Sequence, residues 1–158
     1  PFFSRKFNRM FFEDFHSGLS AVTPSRTVTV EELDAFIDIT GLHLPMFMSD
    51  ESAQEIGHPR RLVTGPMVLA VAMGLVKASG WFDQVVAVLE FTDMRFRRAV
   101  HPDDTLTAHI TVLDSRPTRD PARGLVVLSY QILNQDGNKV LEMKGTYLFS
   151  RKPEGSDS

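Results

Sequence analysis

The sequence contains no cysteine. Disulfides, thiolate nucleophiles and cysteine-based metal sites are thereby excluded, and the absence fits a reducing cytoplasm. Blocks of like charge are missing too: 17 Lys and Arg stand against 20 Asp and Glu, a net of −3. Nucleic acid is therefore not expected as a partner, because phosphate binding asks for a clustered basic surface. The longest apolar run, Met67 to Val76, is well short of the roughly 20 residues that a bilayer span needs, so no membrane partner is expected. The opening, Pro1 to Phe15, mixes aromatics with Arg5, Lys6 and Arg9 and lacks the unbroken apolar stretch of a signal peptide. There is no internal repeat and no long linker. What remains is ordinary: 158 residues, 42% hydrophobic and 23% charged, enough for a sizeable core. We read residues 1–158 as a single domain with a core at about 12–150 and frayed ends.

Periodicity assigns the elements. Ser20 to Val28 reads as a short strand. Thr29, with Glu32 three residues on, is a capping box, and Leu33, Phe36 and Ile37 follow at helical spacing up to Gly41. Residues 42–61 are irregular, with Pro45, Gly57 and Pro59, and hold a short helix at 49–56. Gly65-Pro66 then opens a helix that is apolar all round, with Lys77 its first charge. Proline suits a first helical position, and an all-round apolar helix belongs in a core. After Gly80 the period becomes two. Val85–Arg98, Thr105–Val112, Leu125–Leu133 and Val140–Phe149 read as strands, with Asn134 to Asn138 as a hairpin turn. One face of such an antiparallel sheet needs a cover, and the apolar helix is the long element available. The expected class is α+β, a curved antiparallel sheet wrapped around a central helix.

Several segments resemble the MaoC-like family, the R-specific enoyl-CoA hydratases, in that family's order. They are Phe12-Glu13-Asp14-Phe15 with Gly18, then Arg26 to Thr29, and then Phe36 to Gly41. Arg61-Leu62-Val63-Thr64-Gly65 is similar to the R-[IV]-[AV]-H-G entry to the central helix. Phe96 to Leu106 is similar to the F-x-x-P-V-x-x-G-D-T-L strand turn. The resemblance implies a hot-dog fold and a dimer, homodimeric or heterodimeric, that pairs two sheets edge to edge. It also implies an acyl-CoA or acyl carrier protein thioester as ligand, and a place in fatty acid metabolism.

The family's hydratase motif, G-D-x-N-P-[LI]-H, aligns with Gly41 to Phe47. Leu42 stands at the aspartate position, Leu44 at the asparagine and Phe47 at the histidine. Hydration moves hydroxide to the β-carbon and a proton to the α-carbon, and both transfers need groups that titrate near neutrality. Leucine and phenylalanine do not. The three replacements instead make a greasier wall, suited to an acyl chain. Gly65 keeps the backbone N–H that, by the resemblance, holds the thioester oxygen, and Thr64 reads as the helix cap beside it.

The other candidates are weighed one by one. His43, beside the lost aspartate, is either a substitute general base oriented by Asp50 or Glu51, or a solvated loop residue. His58 and His101 lie in turns and read as exposed, and His109 falls on the polar face of its strand. No histidine pair has a ligand spacing, so no metal and no cofactor is expected. Glu90 or Asp93, if turned toward the central helix, would suit a thioesterase. Arg60 and Arg61, ahead of Arg95, Arg97 and Arg98, are candidates for coenzyme A phosphates. Asp34 and Asp38 read as plain surface charge. Three functions follow: a hydratase or dehydratase (a lyase) with a rebuilt site, a non-catalytic thioester-binding subunit, and a thioesterase.

Overall fold

The computed structural model describes residues 9–156; Arg5 and Lys6 of the opening lie outside them. The capping box forms as read: Glu32 N–H donates to the Thr29 hydroxyl at 3.2 Å, and Thr29 N–H to the Glu32 carboxylate at 3.0 Å. Helix α1, Val30–Thr40, starts there and stops at Gly41, whose φ of 74° is a left-handed cap. Ahead of it the expected single strand is two, β1 (Ser20–Val22) and β2 (Arg26–Thr27), both paired with the later strand β4 (Thr105–Pro117). Pro24 between them has no N–H to give a ladder, and the Thr23 hydroxyl accepts from Ala108 N–H at 3.0 Å instead.

The irregular stretch holds α2 (Pro45–Met48) and α3 (Asp50–Glu55). The second was expected. The first was not: it is one turn begun by Pro45, whose fixed φ suits a first helical position. Helix α4, Gly65–Ala78, is capped by Thr64, which accepts from Met67 N–H at 3.1 Å.

Four long antiparallel strands follow: β3 (Val85–Phe96), β4 (Thr105–Pro117), β5 (Arg123–Leu133) and β6 (Lys139–Ser150). Their order with β1 is β1-β4-β5-β6-β3, so β3 is an edge strand. Alternation sends Leu106, Ala108 and Ile110 of β4, and Val126, Leu128 and Tyr130 of β5, inward, all buried. They form one core with Val68, Val71, Ala72 and Leu75 of α4, each large side chain contributing roughly 1.5–3 kcal/mol.

Two expectations need correction. Helix α4 is not buried all round, since Pro66, Ala70 and Gly74 share an exposed stripe. The sheet covers one side of the helix only. Strand β3 does not alternate cleanly. Three register shifts break its pairing with β6, and Val86, Val88 and Leu89 are all exposed. It lies at the rim, so no second strand enforces the period.

One end of the core is aromatic. Phe15 packs on Phe149 and Trp81, with ring centroids 4.5 and 5.6 Å away. Tyr130 donates to the Tyr147 hydroxyl at 2.7 Å, and Tyr147 reaches Met73 Sδ at 3.6 Å. Burial holds both phenols above their ordinary range, Tyr147 at about 12. Among the described residues no helix is long and apolar enough to cross a membrane.

Candidate functional site

The N-terminus of α4 opens onto a cleft of about 390 Å³. Its walls include Phe47 from α2, Leu62 and Val63 from the approach to α4, and Gly65 and Val68 from the helix itself. Phe96 through Val100, at the end of β3, close the other side. The two sides are tied by Val63 N–H, which donates to Val100 C=O at 2.7 Å. Gly65 is small for a reason: a Cβ there would sit 3.0 Å from the Phe96 ring. Its N–H is taken by no carbonyl or side chain among the described residues. Pro66 has no N–H, and Thr64 already serves Met67. Gly65 N–H is thus the free donor at this helix end, where the helix dipole is positive.

Of the predicted site residues, the cleft brings together Phe47 and Gly65. Thr64 is fully buried behind them as the cap. Leu42 is half-buried and Leu44 is 45% exposed, and neither lines the cleft. His43 is exposed, and its Nε2 lies 3.2 Å from Asp38. Asp38 is therefore its partner rather than Asp50 or Glu51, because one helical turn separates Asp38 from the chain reversal at Gly41. Asp50 instead accepts Arg61 N–H at 2.8 Å.

Arg61 is a tie within the chain rather than a free phosphate donor. It is 8% exposed, ion-pairs with Asp34 and donates to Phe47 C=O. Asp34 is accordingly more than surface charge. Arg61 fixes the loop that carries Phe47 against α1. Arg60 is half-exposed, with one nitrogen 3.2 Å from Pro102 C=O and another 3.7 Å from Asp104. His101 is half-buried rather than exposed, and its Nδ1 lies 2.8 Å from Arg61 C=O. Asp104 also accepts from His101 N–H and from the Gln135 amide, so the turn after β3 is locked from several sides.

Glu90 meets Thr146 at 3.4 Å and Asp93 meets Lys144 at 2.8 Å. Both partners lie on the outer face of β6, so neither carboxylate faces α4 and the thioesterase reading loses its base. The Lys144 ammonium holds Asp93 below the usual carboxylate range. Among the described residues no three of His, Asp and Glu are grouped as a metal would need.

Arg97 and Arg98, read as lesser phosphate candidates, line the cleft, whereas sequence reasoning missed Val68 and Phe96 as wall residues. The signal was present in the strand-turn motif, but only the fold places that motif beneath the start of α4.

Residues 17–130 match the MaoC-like domain. Protein MaoC of Klebsiella aerogenes is 31% identical over 103 residues, which cover 65% of this chain and 30% of that protein. A β-methylmalyl-CoA dehydratase of Chloroflexus aurantiacus is 29% identical over 134 residues, covering 84% and 38%. The chain thus spans about a third of the length of these relatives. A conserved Mycobacterium tuberculosis protein with a double hot-dog fold superposes with a TM-score of 0.81 at 24% identity, over 94% of this chain and 46% of that one. With a sheet curved around one helix, a cleft at that helix's start and this match over most of its length, the chain is a hot-dog protein and belongs to the MaoC-like domain family.

Proposed function

We propose that this chain is an acyl-thioester-binding hot-dog unit that does not itself supply the acid and base of hydration. The observation that carries this reading is the lining of the cleft. Phe47, Leu62, Val68 and Phe96 make an apolar trough that ends at the free N–H of Gly65, and no imidazole or carboxylate is among the lining residues. Such a site holds an acyl chain by burial and a carbonyl oxygen by a helix end. It has nothing that gains and loses a proton near neutrality. A relative named for a CoA thioester supports the ligand class.

Pairing with a second hot-dog unit, a copy or a catalytic partner, completes the proposal. The exposed apolar stripe of α4 and the unpaired edge of β3 support it. So does the likeness to one half of a double hot-dog chain. The absence of cysteine suits a reducing cytoplasm as its setting.

The test is to titrate the pure protein with butyryl-CoA and to follow the conjugated absorbance of crotonyl-CoA. Binding without turnover is expected. Turnover by the pure chain overturns the non-catalytic reading. It would favour the one alternative with an observation behind it, the His43–Asp38 pair at 3.2 Å. In that case His43→Ala abolishes the activity.

A further inference from the structure

A second depression, about 380 Å³ and polar, adjoins the apolar cleft. It is lined by Arg60, His101 and the β5–β6 turn, and it shares Arg98 and Ala99 with the cleft. The two form one groove, greasy at the α4 end and wet at the other. Three arginines line it, and two of them have carboxylate partners: Arg97 pairs with Glu142, and Arg60 lies 3.7 Å from Asp104. Arg98 is exposed, lies where the two halves join, and has no ion pair or hydrogen bond within the described chain. The wet half also holds Asp104 and Asp136. Asp104 is buried and accepts from two donors besides its 3.7 Å ion pair with Arg60, whereas Asp136 lies on the exposed turn.

We propose that Arg98 is the specificity-determining residue of this groove, recognising an anion that its ligand carries beside the acyl group. The inference rests on the thioester-binding reading and deepens it. A guanidinium left unpaired between an apolar trough and a polar basin suits a ligand that is apolar at one end and anionic next to it. Two parts of an acyl thioester carry such an anion: a phosphate of the carrier, or a carboxylate on a short acyl group.

The experiment is calorimetric titration of wild type, Arg98→Gln and, as control, Arg119→Gln, an exposed arginine in the β4–β5 turn. The ligands are butyryl-CoA, butyryl-pantetheine (which has no phosphate) and succinyl-pantetheine. A weakening of about tenfold or more in Arg98→Gln, confined to butyryl-CoA, assigns the anion to phosphate. The same loss confined to succinyl-pantetheine assigns it to a carboxylate. Arg119→Gln is expected to match wild type throughout. Equal affinities of Arg98→Gln and wild type for all three ligands overturn the role of Arg98 alone. Failure of wild type to bind any of them overturns the thioester-binding reading beneath it.

Discussion

At the scale of single residues, the buried tyrosine pair carries a directional test. Tyr130 donates to Tyr147, and Tyr147 has only a sulfur to donate to. Tyr147→Phe strands the Tyr130 donor in the core and is expected to cost about 1–3 kcal/mol. Tyr130→Phe leaves Tyr147 its contact with Met73 and is expected to cost less, about 0.5–1.5 kcal/mol. Urea midpoints of the two variants check the order, and an equal or reversed order would refute the assigned direction. Asp103 gives a second test. Its φ of 72° is a left-handed conformation, at the position where the resembling motif has glycine. Asp103→Gly is expected to stabilise by about 0.5–1 kcal/mol, read as a raised midpoint. Single residues were also where the sequence said least. Arg61 looked like a phosphate ligand because its neighbours in sequence say nothing of Asp34, 27 positions away, which the fold brings against the buried guanidinium.

Elements were legible where a local rule decides them. The Thr29–Glu32 box and the Gly41 stop give α1 its ends, and Gly65-Pro66 gives α4 its start. The alternation of β4 and β5 places their inward residues correctly because neighbours on both sides enforce the pleat. The rule fails at β3, which pairs on one side and slips three times. It also fails at α2, which was not read within 42–61, whereas α3 was read there because Ser49 caps it locally. The Arg61 tie reaches α2 from afar, at Phe47 C=O. Arg61→Ala is expected to lower stability by about 1–3 kcal/mol, and to weaken thioester binding because Phe47 loses its anchor. A variant that is less stable but binds as well as wild type would detach Phe47 from the site. Gly124 makes a different demand on the sheet. A Cβ there would meet the Phe12 ring at 2.1 Å, so Gly124→Ala must push out the 3₁₀ turn at Phe12–Asp14. A cost of about 1–3 kcal/mol is expected in thermal melts, with the groove at the α4 end still binding its ligand.

For the whole molecule, the core predicts its own alkaline limit. Tyr147 titrates near 12 in the folded chain, against an ordinary value of 10, because burial disfavours its charged form. Folding therefore favours the neutral phenol. That contribution is complete below pH 10 and is lost as pH rises through about 12. Melting temperature is expected to fall over that window in wild type, and to fall less in the Tyr130→Phe/Tyr147→Phe double variant. A double variant as alkali-sensitive as wild type would place the limit elsewhere. The fold as a whole was legible before any coordinates, because a period-two half following one apolar helix has few ways to close. The groove was not. Its walls come from residues 47, 62–68 and 96–100, which meet only when β3 ends beneath the start of α4.

The rim strand bears on the life of the chain as well as on its fold. Along β3, Val86, Val88 and Leu89 are exposed on a strand with one paired neighbour. Such an edge recruits other strands indiscriminately. Only the slips in register and the charges of Glu90, Asp93 and Arg95 blunt it. On the proposed pairing, a copy made in excess of its partner would be sticky and open to proteases, while a paired copy would be neither. Cellular abundance would track the scarcer of the two units, and matched synthesis would become a requirement written into one strand.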